Sequence, residues 1–152
     1  MIKPGEVAAA AGVGLAAGLA GTAAMTLSSV IEAKVRQREA STAPADAASK
    51  LLGVQPTGEA QAKRFSTLVH WAYGTSWGAV RGLLDCSGLP GPAASAAHLA
   101  VLWGAEQVIL PGLGVAPPLT EWGGKEIAID AWHHVTYAAA TGAAYEALNR
   151  MR

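Results

Sequence analysis

The chain has 152 residues, of which 51% are hydrophobic and 14% are charged, with a mean hydropathy of +0.27 and no formal net charge. This length fits one domain, and a soluble domain carries about a quarter charged residues, so the composition favours a membrane protein. The balanced charge indicates no nucleic-acid partner, and the single cysteine, Cys86, excludes an intramolecular disulfide and a cysteine-based metal cluster.

The first predicted membrane span covers residues 7–30, in which no charged residue occurs. About 20 such residues cross the hydrocarbon core of a bilayer as a helix. Gly14, Gly18 and Gly21 fall at positions i, i+4 and i+7, which predicts a small-residue face for close packing of another helix. We interpret the segment as a retained span and not as a cleaved signal peptide, because its apolar stretch leads directly into a charged helical segment.

Three further spans are predicted after a polar connection, residues 40–62, in which one short helix ends at Gly53. A break rich in Pro and Gly separates the second span from the third. These spans cover about residues 65–84, 93–110 and 127–148. The predicted fold class is therefore all-α, a small integral membrane bundle of four transmembrane helices with alternating direction, and residues 1–152 form a single membrane domain.

The distribution of positive charge bears on the orientation of such a bundle. Seven of the eleven Lys and Arg residues lie on the side of the first and third connections, and four lie on the other side. The positive-inside rule therefore favours a cytoplasmic first connection and outward termini. The difference is small, and the opposite orientation stays open.

Ionisable and polar residues inside the spans fall on helical stripes. Because such residues are costly in lipid, they normally face a bundle interior or a water-filled cavity. At 3.6 residues per turn, the stripe on the second span holds His70 and Arg81, and the stripe on the fourth holds Asp130, His134 and Tyr137. We expect these stripes to face each other, with Arg81 towards the far side, where Asp85 at i+4 is its predicted partner.

Helix direction predicts the depth of these residues. The second and fourth spans begin on the same side of the bilayer, and the third returns to that side. His70, Glu106, Asp130 and one of the pair His133 and His134 are therefore expected to converge at one level. The loop LPGLGVAPPLTEW lies just before the fourth span and is a candidate lid over this cluster. The candidate lid residues are Pro117, Pro118, Trp122 and Glu126.

Three interpretations of the polar cluster stay open. It is a structural network, a hydrated pocket that moves protons or binds a small polar ligand, or a metal or haem site. A divalent ion has four candidate ligands, which are His70, Glu106, Asp130 and His134. His70 opposite His133 or His134 is the candidate pair for a haem. Neither a metal ion nor a haem has a specific spacing signature here. We therefore expect no cofactor, and the sequence does not identify one.

No sequence motif indicates catalysis. Neither GxxxxGK[ST] nor HExxH is present, and no Ser-His-Asp order can be recognised, so we expect no catalytic residue and favour a protein that is not an enzyme. The leading hypothesis is a membrane protein whose cluster senses or conducts protons, or binds a small ligand. The alternatives are a haem- or metal-binding membrane protein and a soluble, Ala-rich helical protein. The expected partners are the lipid bilayer and either further copies of the chain or other membrane subunits.

The run LPGLGVAPPLTEW, followed by EIAIDAWHHVTYAAATGAAYEALNR, resembles the C-terminal part of the YagU-like bacterial inner-membrane proteins. Those proteins carry a comparable order of Pro, Gly, paired Pro, Trp, acid, His and a terminal basic helix. The resemblance covers roughly the second half of the chain and matches Pro117, Pro118, Trp122, Glu126 and His134 to the family pattern. This chain departs from it by a smaller first connection and an extra histidine. The resemblance implies a multi-pass bacterial inner-membrane protein of poorly defined activity, loosely linked to acid or envelope stress.

Overall fold

The computed structural model describes residues 3–89 and 91–151, and the regular structure in these residues is entirely helical. The ends of the predicted 1–152 domain, and Pro90 in the predicted break, lie outside the described residues. The helices are α1 (Pro4–Arg36), α2 (Ala43–Leu52), α3 (Glu59–Cys86), α4 (Gly91–Gly112) and α5 (Gly124–Arg150), with one turn of 3-10 helix at Leu119–Glu121. The all-α prediction is confirmed, and each of the four long helices contains one of the predicted spans.

The ends of α1 and α2 follow from local chemistry. Pro4 occupies the first turn of α1, where its missing N–H costs no hydrogen bond, and the Glu6 carboxylate accepts a hydrogen bond of 2.9 Å from the Lys3 backbone nitrogen. Gln37 ends α1 in the left-handed region, with a φ of 53°. Gly53 ends α2 in the same region, with a φ of 65°, which glycine adopts without steric cost. The short helix predicted in the first connection is therefore present, and it ends at the expected residue.

The four long helices alternate in direction around a ring. α1 packs most extensively against α3 and next against α5, and α4 contacts both of these helices. Ala10 near the start of α1 lies against Gly82 near the end of α3, so the two helices are antiparallel. Ser95 near the start of α4 lies against Gly142 near the end of α5, which makes this pair antiparallel as well. The Tyr145 hydroxyl near the end of α5 contacts Asp85 near the end of α3, so α3 and α5 share one direction, and α1 and α4 share the other.

Glycines on both helices allow the close approach of α1 and α3. A Cβ atom added at Gly14 would collide with the backbone carbonyl of Gly78, and one added at Gly78 would collide with the carbonyl of Gly14. Gly18 packs against the same Gly78, and Gly82 packs against the Ala10 carbonyl. All four glycines are buried. The predicted small-residue face of α1 is thus its interface with α3, and any larger side chain must push the two backbones apart.

Two helices, α1 and α4, are long and apolar enough to cross a membrane by length and composition. Only 33% of the apolar window of α1 and 22% of that of α4 is buried inside the chain, so most of this surface faces outwards. Leu19 and Leu27 on α1 and Val101 and Val108 on α4 are among the large apolar side chains that are exposed. α3 and α5 do not reach the same hydropathy, because they carry the charged, His and aromatic residues of the polar stripes. The structure therefore provides two candidate spans, and the prediction of four is not confirmed.

Candidate functional site

A cavity of about 1020 Å³ lies among the helix ends at one end of the bundle. This end holds the C-termini of α1 and α4 and the N-termini of α3 and α5. The cover is α2, which contributes Ala43, Pro44, Ala47, Ala48 and Leu51 to the lining. Lys50 attaches α2 to the loop after α4, because its ammonium group donates hydrogen bonds of 2.7 and 2.9 Å to the carbonyl oxygens of Leu113 and Gly114.

The structure places the cover of the cavity on α2 and not on the predicted lid. Of the candidate lid residues, Glu126 lines the cavity, whereas Pro117, Pro118 and Trp122 are not part of the lining. The Trp122 indole N–H donates a hydrogen bond of 2.9 Å to the Pro117 carbonyl, so this loop folds back on itself. The first connection reaches the position instead, because α2 packs against α3 and buries Ala45 and Ala47.

Three of the predicted cluster residues meet on one wall of the cavity. Glu106 on α4 and Asp130 and His134 on α5 each offer one ligand atom, and these atoms all lie within 4.8 Å of one another. His134 Nε2 lies 2.6 Å from the Glu106 carboxylate, and His134 Nδ1 donates a hydrogen bond of 2.9 Å to the Asp130 backbone carbonyl. The Trp103 indole N–H donates a hydrogen bond of 2.7 Å to the Asp130 carboxylate. α4 and α5 together hold all of these groups in fixed orientations.

The hydrogen-bond pattern defines where the protons of this wall can be. A backbone carbonyl only accepts hydrogen bonds, so Nδ1 of His134 must carry a proton. In the neutral ring, Nε2 is then a lone-pair acceptor that faces a second acceptor, the Glu106 carboxylate, at 2.6 Å. Two acceptors at this distance require a shared proton or another positive species between them. The wall therefore holds a proton between His134 and Glu106, or a cation in its place.

His70 lies on the same cavity but outside this group of three. Its Nε2 lies 2.8 Å from the hydroxyl of Thr26 on α1. The Thr26 hydroxyl already donates its proton to the Thr22 carbonyl at 2.6 Å, so the His70 Nε2–H is the donor of the contact with Thr26. The convergence predicted for His70, Glu106, Asp130 and His134 thus becomes two polar walls. His70 and Thr26 form one, and the group on α4 and α5 forms the other.

The two predicted stripes on α3 and α5 do face each other. The Tyr137 hydroxyl on α5 donates a hydrogen bond of 2.6 Å to the carbonyl of Gly74 on α3. Tyr137 and Gly74 both line the cavity, and Tyr137 is almost fully buried. Gly21 on α1 provides the space for the Tyr137 ring, since a Cβ atom at Gly21 would overlap it. This contact closes the cavity on its inner side.

His133 contacts α1, in a direction different from that of His134. Its Nδ1 is hydrogen-bonded to the Ser28 hydroxyl at 2.9 Å, and its Nε2 lies 3.8 Å from the Glu32 carboxylate. This Nε2 is buried and has no hydrogen-bond partner within the described part of the chain. His133 also lines the cavity, although this nitrogen itself is enclosed between α5 and α1.

Ion pairs surround the rim of the cavity. Glu32 accepts hydrogen bonds from Arg38 and Arg36, and Arg36 also reaches Glu126 on α5 at 3.3 Å. The hydrogen bond from Arg38 lowers the pKa of the Glu32 carboxyl below its usual value. The 33 residues of α1 extend over about 50 Å, so this charged end lies beyond the length that crosses a hydrocarbon core of about 30 Å.

Arg81 lies in a separate network in the opposite half of the bundle. It is fully buried, lies 3.7 Å from the Glu146 carboxylate, and its guanidinium stands 4.6 Å above the centre of the Tyr145 ring. Its predicted partner Asp85 instead accepts a hydrogen bond of 3.2 Å from the Tyr145 hydroxyl. The Arg81 guanidinium also donates to Ser95 at 3.3 Å. These contacts join α3, α4 and α5, and Arg81 does not line the cavity.

The contribution of α1 to the cavity was not predicted from the sequence. Thr22, Thr26 and Ser29 all line it, and they fall at i, i+4 and i+7 within a span that has no charged residue. This spacing was a readable signal of a polar face on α1. Trp103 was also missed, and no pattern in the sequence connects it with Asp130, which lies 27 residues later.

The chain matches no protein-family model, and searches of the curated proteins and of the solved structures found no match. The resemblance to the YagU-like proteins therefore stays a prediction.

Proposed function

We propose that this chain is a multi-pass membrane protein whose cavity binds a small polar ligand. The observation that carries the proposal is the cavity of about 1020 Å³, which has histidine, hydroxyl and carboxyl groups on its walls in an otherwise apolar bundle. Ionisable groups within membrane helices normally mark a ligand or ion site, because burying them in lipid without a use is costly. The volume lies just above the usual range for small-molecule sites, about 300–1,000 Å³.

The membrane location is supported by the exposed apolar faces of α1 and α4. In this proposal α3 and α5 cross the bilayer beside them, because their 28 and 27 residues extend over about 40 Å and they pack antiparallel against α1. Their polar stripes then point inwards, at the cavity and at the Arg81 network. A bacterial inner membrane and a role in acid or envelope stress are proposed on the resemblance alone, as is assembly with further copies or other membrane subunits.

Polar groups inside the cavity suit a ligand that forms hydrogen bonds. Its walls carry the side chains of Thr26, Ser29, His70 and His133, and Tyr137 closes its inner side. Lys34, Arg36 and Arg38 lie at the rim, where Glu32 and Glu126 pair with the two arginines. The contacts argue against the pair His70 and His134 as haem ligands, because His70 Nε2 donates to Thr26 and His134 Nε2 faces Glu106. A haem between these rings would displace both contacts.

Cysteine labelling in lipid nanodiscs tests this proposal. In a Cys86→Ser background, Thr26→Cys places a thiol on the cavity wall, and Leu19→Cys places one on the exposed apolar face of α1. We expect a small, charged thiol reagent to modify the first and not the second. Failure to modify Thr26→Cys would show that the cavity is closed to solutes. Modification of Leu19→Cys, or recovery of the protein in the soluble fraction without detergent, would contradict the membrane span.

A further inference from the structure

We propose that Glu106, Asp130 and His134 form a binding site for one divalent transition-metal ion, such as Zn²⁺ or Mn²⁺. The site lies on the wall of the cavity, so the inference rests on the proposed function in one respect, the access of solutes to the cavity. One imidazole and two carboxylates form a donor set that these ions accept.

The distances among the three side chains suit an ion after small side-chain adjustments. Metal bonds of 2.0–2.2 Å in a tetrahedral arrangement place two ligand atoms about 3.4 Å apart. The ligand atoms lie within 4.8 Å of one another, and His134 Nε2 lies 2.6 Å from Glu106 Oε2. Glu106 would therefore move slightly away from His134 to make room for the ion. A rotation of the Glu106 side chain provides this movement while the helices stay fixed.

Neighbouring groups form hydrogen bonds to two of the proposed ligands and fix their orientation, as is usual for metal ligands in proteins. His134 Nδ1 donates to the Asp130 backbone carbonyl at 2.9 Å, which fixes the tautomer and directs the Nε2 lone pair towards Glu106. The Trp103 indole N–H donates to one oxygen of the Asp130 carboxylate at 2.7 Å and so orients it. An outer partner of this kind is present for two of the three ligands.

The charge of the wall also favours a cation. In residues 3–89 and 91–151, no Lys or Arg nitrogen lies within 4.0 Å of the Glu106 or Asp130 carboxylate. The nearby guanidinium groups are engaged elsewhere, since Arg36 and Arg38 pair with Glu32 at the rim. Two carboxylates that share one wall inside a bundle repel each other, and a divalent ion removes this repulsion.

Three protein ligands leave at least one coordination position of the ion open. All three residues line the cavity, so we infer that the open position faces it. The ion would then supply a positive contact for an oxygen or nitrogen atom of the ligand in the cavity. This assigns the polar ligand to the class of small molecules that coordinate metal ions.

Metal binding to the purified, tag-free protein in detergent tests the inference. After removal of metals with a chelator, Zn²⁺ and Mn²⁺ are titrated by calorimetry, and bound metal is counted after gel filtration. We expect one ion per chain. Glu106→Gln keeps the size of the side chain and a hydrogen bond to His134 but removes a charged ligand, so it should weaken binding by about 10- to 100-fold. Trp103→Phe should weaken it by about tenfold through Asp130.

His70→Gln is the matched control, because His70 lines the same cavity outside the group of three. This substitution should leave the metal affinity unchanged. The inference is overturned if the wild-type protein binds neither ion stoichiometrically, or if Glu106→Gln, Asp130→Asn and His134→Gln all bind as the wild type does. Labelling of Thr26→Cys without metal binding would reject the metal site alone, whereas absence of both would reject the open cavity as well.

Discussion

Tyr137 on α5 donates a hydrogen bond of 2.6 Å to the carbonyl oxygen of Gly74 on α3. The bond joins two parallel helices. It lies between the half of the bundle that contains the cavity and the half that contains Arg81. On one side Tyr137 lines the cavity, and on the other its ring packs against the buried His98 ring, with 5.6 Å between the ring centres. The hydroxyl is thus the boundary between the cavity and the tightly packed half that contains Arg81.

Substitution of Tyr137 by Phe removes this bond and keeps the ring. We expect the free energy of unfolding to fall by about 0.5–1.5 kcal/mol, the usual contribution of one buried hydrogen bond. The measurement is an unfolding titration in detergent followed by helical circular dichroism. Tyr73→Phe is the control, because Tyr73 is 43% exposed, and its effect should stay within about 0.5 kcal/mol. Equal effects of the two variants would contradict the boundary role of Tyr137.

Two glycine substitutions should act in opposite directions. Gly78→Ala places a methyl group against the Gly14 carbonyl, so it should destabilise the bundle by about 1–3 kcal/mol through separation of α1 and α3. Gly104 on α4 has no atom within 4 Å of an added Cβ, so Gly104→Ala should stabilise the protein by up to about 1 kcal/mol. Thermal unfolding of both variants in the same detergent measures the difference. A stabilised Gly78→Ala variant would show that α1 and α3 do not pack as closely as described.

The helices and their polar faces were predictable because the signals are local. The first span is visible as an uncharged run, residues 7–30. The polar stripes that include His70 and Asp130 are visible as polar residues repeated at the helical period of 3.6. Both signals depend only on neighbouring positions in the chain. The stripes on the second and fourth spans consequently face each other as expected, at Gly74 and Tyr137.

The pairing of side chains across the bundle was not predictable, because it depends on which helix ends meet. Arg81 has an acid at i+4, Asp85, yet its carboxylate partner is Glu146 on another helix. His70 was expected beside the acids, but α1 packs close enough to present Thr26 to its Nε2. Lys50 meets carbonyl groups more than 60 positions later in the chain, at Leu113 and Gly114, and no periodicity encodes such a contact.

The attachment of α2 should control access to the cavity. Lys50→Met removes both hydrogen bonds to the loop after α4, so α2 should move away from the cavity more often. We expect the modification rate of Thr26→Cys in nanodiscs to rise about two- to tenfold, which corresponds to a loss of about 0.4–1.4 kcal/mol. Lys63→Met is the control, because Lys63 does not line this cavity and should leave the rate unchanged. An unchanged rate in Lys50→Met would mean that solutes enter without movement of α2.

Acidification should loosen the rim of the cavity through Glu32. The hydrogen bond from Arg38 lowers the pKa of this carboxyl in the folded protein, so its contribution to stability is complete above the unfolded value of 4.5 and disappears as the pH falls through the folded value. The wild-type protein should therefore lose stability below about pH 4.5 more steeply than Glu32→Gln, which has lost this contribution at every pH. Because the ion pair is solvated, we expect the difference to stay under about 1 kcal/mol.

Thermal unfolding from pH 3 to pH 7 measures this difference. Glu39→Gln is the control, since no hydrogen bond to the Glu39 carboxylate is present among the described residues. Parallel stability curves for the wild type and Glu32→Gln would show that the Glu32–Arg38 pair does not stabilise the rim.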